Sequence, residues 1–118
     1  MSTNNLTTVE QFAQMPVDAR SGFELVEGEL SPASSATPRH AWIRDELRGM
    51  MREYLRRNPV GLVLAEVDCR TGEDSVRRPD ISFLTTERWQ LVNPDQIPLQ
   101  VAPDIAIEVL SPSESFVA

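Results

Sequence analysis

Hydrophobic positions recur along this chain in two periods, one helical and one alternating. Ile43, Leu47, Met50 and Tyr54 follow one another at spacings of four, three and four, and Met51 and Leu55 widen the stripe. That spacing keeps side chains on one face of a helix. Thr37 stands before it as N-cap with Pro38 at the first helical position, and Asn58-Pro59 ends it. A shorter helix is predicted from a capping box of Thr7 and Glu10, running through about Met15 and stopped by Pro16. Phe23, Leu25 and Leu30 give strand, turn, strand with Gly28 in the turn, followed by a Pro/Ser/Thr/Ala loop from Ser31 to Thr37. Beyond the long helix the pattern predicts strands over 62–69 and 78–84, joined by a polar turn containing Gly72. A helical turn over 86–92 and a strand over 101–110 come next, the latter apolar on both faces at Ile105-Ala106-Ile107. Helix, hairpin, helix and strands in this order make a layered α/β arrangement, and 118 residues make one domain, 1–118, with one modest core.

The last residues announce one more element. Ser111-Pro112-Ser113-Glu114 has an N-cap serine, a proline at the first position and a glutamate three after the cap. A strand apolar on both faces needs cover on both sides, and that helix would be its natural cover. The chain stops four residues later, so the expectation is a domain incomplete at its C-terminus.

Composition narrows the class. Apolar residues make up 41% of the chain and charged ones 25%, as in ordinary soluble domains. No apolar run approaches the roughly 20 residues that span a bilayer, so no membrane partner is expected. Met1 to Val9 is polar without a positive charge, unlike a secretory signal. With Cys69 as the single cysteine, the expected location is the cytoplasm. The net charge of −7 opposes strong non-specific attraction to nucleic acid. All 11 basic residues are arginine, which suits phosphate contacts, although such a composition more commonly reflects a GC-rich genome. Arg44, Arg48, Arg52 and Arg56 repeat every four residues on the long helix, a pattern read as a solvated face partly neutralised by Asp45 and Glu53.

Candidate chemistry lies in the carboxylates of the late strands. Alternation puts Asp80 with Ser82 on one face, and Asp104, Ala106 and Glu108 on one face of the last strand. Carboxylates in apolar strands are costly to bury alone. A hard divalent cation relieves that cost, and Mg²⁺ takes one or two carboxylates with water and phosphate. The competing reading pairs Glu108 with an arginine such as Arg78 and leaves Asp80 at a strand end. Glu66 and Asp68 share a face and either approach this site or pair with Arg70.

Four blocks carry a family resemblance. Arg78-Pro79-Asp80, followed by Glu108-Val109-Leu110-Ser111-Pro112-Ser113, resembles the signature of the Uma-two family of endonucleases, within the PD-(D/E)xK restriction-endonuclease-like superfamily. Phe23 to Leu30 resembles the family's N-terminal hairpin, Pro38-Arg39-His40 its next helix start, and Val9-Glu10-Gln11-Phe12 its opening helix. The resemblance implies a central mixed β-sheet flanked by helices, with the last helix and strand elements missing here. It also implies Mg²⁺ or Mn²⁺ at Asp80 and Glu108, Glu24 as a further acidic residue, and DNA as substrate. Arg39, His40 and Arg78 are the candidate DNA contacts, and a homodimer is the arrangement common among nucleases that cut both strands. In the superfamily a lysine lies two residues after the acidic residue, where this chain has Leu110. In this family it usually moves into the following helix, yet this chain contains no lysine. The expectation is therefore a Mg²⁺-dependent DNA endonuclease domain, and the alternative is a non-catalytic binding or assembly module of the same fold.

Overall fold

The computed structural model describes residues 6–33 and 36–110. The helix start at Ser111 to Glu114, and with it the expectation of a domain cut short, lies outside the described residues.

The opening helix, α1 (Val9–Gln14), begins one residue later than predicted. Thr7 donates its N–H to the Gly28 carbonyl at 2.7 Å, which ties it to the hairpin turn. Thr8 therefore becomes the N-cap, and the capping box closes with Gln11 rather than between Thr7 and Glu10. This phase turns Val9 and Phe12 inward, where they meet Leu25 and Val76 in one of two small cores. Pro16 ends α1 as expected, and a short helix not anticipated from the pattern, α2 (Val17–Arg20), follows.

Strands β1 (Phe23–Val26) and β2 (Glu29–Pro32) form the predicted hairpin. Its two turn residues, Glu27 and Gly28, both have positive φ, the geometry of a turn that matches strand twist. Helix α3 (Pro38–Arg57) starts where predicted, with the Thr37 hydroxyl accepting the His40 N–H.

Of the two predicted middle strands, the first is broken and the second starts late, and these two changes decide the architecture. The segment predicted as 62–69 splits into β3 (Gly61–Ala65) and β4 (Cys69–Gly72), with Glu66 at positive φ between them. The segment predicted as 78–84 starts late: β5 (Ser75–Arg77) precedes it, Arg78-Pro79-Asp80 crosses over, and β6 (Ile81–Thr85) follows. Pro79 has no N–H to give a ladder, so a crossover is the natural place for it. Helix α4 (Thr86–Trp89) and strand β7 (Ile105–Ile107) complete the order, the latter much shorter than 101–110.

Two sheets result, ordered β2-β1-β5-β4 and β3-β6-β7. Their ladders are antiparallel among the described residues, and a single parallel bridge joins Cys69 to Leu99. The second core, Cys69, Leu84 and Leu99, lies against the β3-β6-β7 sheet. Burial pushes the Cys69 thiol up from its ordinary value, against a hydrogen bond with the Ser82 hydroxyl and with help from the Asp68 charge. Helix α3 packs on β3, but its apolar stripe is incompletely covered. Met50 and Tyr54 are 69% and 60% exposed, and with Phe83 and Ile105 they line a groove of about 400 Å³.

Candidate active site

The crossover from β5 to β6 brings the sequence-predicted residues together. Ile81 pairs with Ile107 and Ser82 with Ala106, so one step further along the same register Asp80 meets Glu108. The Asp80 N–H donates to Glu108 Oε1 at 3.0 Å, and the Val109 N–H donates back to Asp80 Oδ2 at 2.7 Å. Two carboxylates thus meet side by side at the junction of the two sheets.

Two further groups reach this place from distant parts of the chain. His40, in the first turn of α3, lies with Nε2 3.2 Å from Asp80 Oδ2. A carboxylate only accepts, so Nε2 carries the hydrogen and donates it. Glu24, on β1, accepts the Arg78 backbone N–H at 2.6 Å. Glu24 and Glu108 line one cavity of about 360 Å³, together with Pro79, Ala106 and Arg77. Arg77 is half exposed and stands 3.8 Å from Glu24 Oε1. Glu108 and Glu24 line this cavity, and Asp80, beside Glu108, borders it without lining it. Among the described residues no group of three or more His, Cys, Asp or Glu side chains forms a ready cage for an ion.

Arg78 does not face that cavity. Its guanidinium donates to Asp68 Oδ1 at 2.7 Å, to the Ser21 carbonyl at 2.7 Å, and to the Arg20 and Phe23 carbonyls at 3.1 Å each. It acts within the fold, clamping the crossover to the α2–β1 connection. Asp68, 3.6 Å from the Arg20 guanidinium, belongs to the same cluster, and the Glu66 carboxylate pairs with Arg44; neither carboxylate pairs with Arg70, and Glu66 reaches Asp80 only by its backbone, donating its N–H to the Asp80 carbonyl at 3.2 Å. A second hollow of about 410 Å³ lies beside Arg20, Asp68 and Arg78, but these charges already satisfy one another. Arg39 is exposed at the start of α3. Asp104 sits at the other end of β7 from Glu108. There the Thr85 N–H at 2.8 Å, reinforced by Arg88 at 3.1 Å, holds its carboxyl below the ordinary value.

The site residue that sequence reasoning passed over is Arg77. The family motif drew attention to Arg78, whereas strand alternation turns adjacent arginines to opposite sides. The alternation of β5, with Val76 buried in the core, was the signal that separates the two.

The fold is α/β, with two acidic residues meeting at the junction of its two sheets. The chain belongs to the Uma2 family, described as "Putative restriction endonuclease", whose model matches residues 9–117. It is also similar to the crystal structure of "a putative nuclease belonging to DUF820 from Anabaena variabilis ATCC 29413", with a TM-score of 0.71 and 24% identity over 92% of this chain. The chain spans 60% of the length of that protein. No curated protein matches the chain at a comparable level. No described helix is long and apolar enough to cross a membrane.

Proposed function

We propose that this domain is a divalent-cation-dependent endonuclease acting on DNA, with Asp80 and Glu108 as the cation-binding carboxylates. The observation that carries the reading is their juxtaposition across β6 and β7, held by the 3.0 Å and 2.7 Å backbone bonds. The donor set fits Mg²⁺ or Mn²⁺: hard carboxylate oxygens, two in number, with room in the adjoining cavity for water and phosphate. When bound, such an ion supplies an activated water and neutralises charge on the phosphate. Asp80 and Glu108 hold the ion at the sheet junction. Glu24 adds negative charge on the cavity wall and orders the crossover through the Arg78 N–H. Arg77, at the cavity rim, is placed to contact a phosphate as a cation.

The chain has no lysine, so the charge-stabilising group of the superfamily pattern is not supplied by these 118 residues. The family match nonetheless favours the nuclease over the non-catalytic module. Cytoplasmic location and a homodimer that presents one site to each DNA strand are parts of the same reading.

The test is cleavage of plasmid and of single-stranded DNA with Mg²⁺, Mn²⁺ or EDTA. Nicking that needs the metal and disappears in Asp80→Ala and Glu108→Ala is the expected result. Equal cleavage by wild type and both variants, or in EDTA, would sink the proposal.

A further inference from the structure

His40 is 8% exposed, and its Nδ1 has no hydrogen-bond partner among the described residues. Leaving a buried polar nitrogen unsatisfied lowers stability. An apolar side chain of similar size would fill this place without that penalty. What the imidazole offers in return is its other nitrogen, which donates to Asp80 Oδ2. The ring is held from two sides. Thr37 caps α3 by accepting the His40 N–H, which fixes the backbone at the third helical position. Asp80, in turn, is tied by its own backbone to Glu108.

Both side-chain bonds to Asp80, from His40 and from the Val109 N–H, fall on the same oxygen, Oδ2. Oδ1 accepts no hydrogen bond from the described residues. Two donors from different directions on one oxygen fix the rotation of a carboxylate and decide which way the other oxygen points. We propose that His40 is a positioning residue. It anchors Asp80 from helix α3 so that Oδ1 is presented to the cation, and it touches neither cation nor DNA itself. This rests on the reading of Asp80 as a cation ligand, and adds a component to it from a separate layer of the fold. Groups that orient metal ligands in this way change metal affinity when they are removed.

His40 is the only histidine in the chain, so its ring nitrogens can be observed without assignment. The imidazole ¹⁵N spectrum of the folded wild-type chain should show the Nε2–H tautomer, with and without Mg²⁺. The Nδ1–H tautomer would overturn the inference. Mn²⁺ binding is then measured by titration calorimetry on wild type, Asp80→Asn, His40→Leu and His40→Gln, each checked for folding by circular dichroism. His40→Leu should bind Mn²⁺ about 10- to 100-fold more weakly. His40→Gln, which keeps an N–H donor, should recover most of that loss. Equal affinity in wild type and His40→Leu, with Asp80→Asn impaired, overturns the role of His40 and leaves the metal reading standing. No Mn²⁺ binding by wild type, or undiminished binding by Asp80→Asn, overturns the metal reading and this inference with it. If His40→Leu does not fold, the glutamine variant and the tautomer decide: either weak binding by a folded His40→Gln or the Nδ1–H tautomer overturns it.

Discussion

Arg78 joins three segments of the chain with one side chain. Its four bonds reach Asp68 at the first crossover and the carbonyls of Arg20, Ser21 and Phe23. Asp68 is almost fully buried, with a side-chain exposure of 9%. Replacing Arg78 by alanine leaves that carboxylate with Arg20 alone, 3.6 Å away, and should lower unfolding free energy by about 3 kcal/mol in urea denaturation. Arg78→Lys should recover little, because an ammonium cannot reproduce a planar fork of donors. An unchanged midpoint in both variants would contradict the clamp. The sequence made Asp80 and Glu108 legible, since alternation and motif agreed on them. It did not separate Arg77 from Arg78 or reveal the contact of His40. Those depend on which side of a strand faces a cavity and on a contact 40 residues apart in sequence.

At the scale of elements, the sequence read the starts and stops better than the breaks. Thr37-Pro38 and Asn58-Pro59 bounded α3 correctly because capping and proline geometry are local. The predicted strands over 62–69 and 78–84 both run into stretches where the chain changes sheet. A change of partner sheet between residues 65 and 69 divides the first, and another between 77 and 81 delays the start of the second. Strand β3 also shows a constraint that only pairing creates. A Cβ on Gly61 would fall 2.2 Å from the Leu84 carbonyl oxygen and 2.7 Å from the Phe83 ring. Gly61→Ala should therefore destabilise by about 1–3 kcal/mol, the scale of overpacking. Gly49, in the middle of α3, has nothing within 4 Å of such a carbon, and alanine there should stabilise by about 0.5–1 kcal/mol. Thermal melts of the two variants should move in opposite directions; a shared direction would refute the contrast.

For the molecule as a whole, an apolar groove lies between α3 and the β3-β6-β7 sheet. The helix stripe puts its apolar residues on one face, and on that groove Met50, Tyr54 and Ile105 are more than half exposed. Exposed apolar grooves of this kind bind hydrophobic dyes. The native chain should enhance ANS fluorescence while its near-UV circular dichroism stays intact, and Met50→Glu with Tyr54→Glu should abolish the enhancement. Dye binding unaffected by those changes would place the exposed apolar surface elsewhere.

The sequence by itself determined the α/β class, the hairpin, the long helix and the two carboxylates. The first three follow from local rules of period, caps and turn residues, and the carboxylates were singled out by strand alternation together with the family motif. Tertiary structure decided that there are two sheets, that the carboxylates meet where the chain crosses between them, and which neighbours hold them. Its reason is physical. Pairing partners, close approaches such as that at Gly61, and the burial of His40 against Asp80 are set by contacts between distant segments, and no local pattern encodes a distance between them.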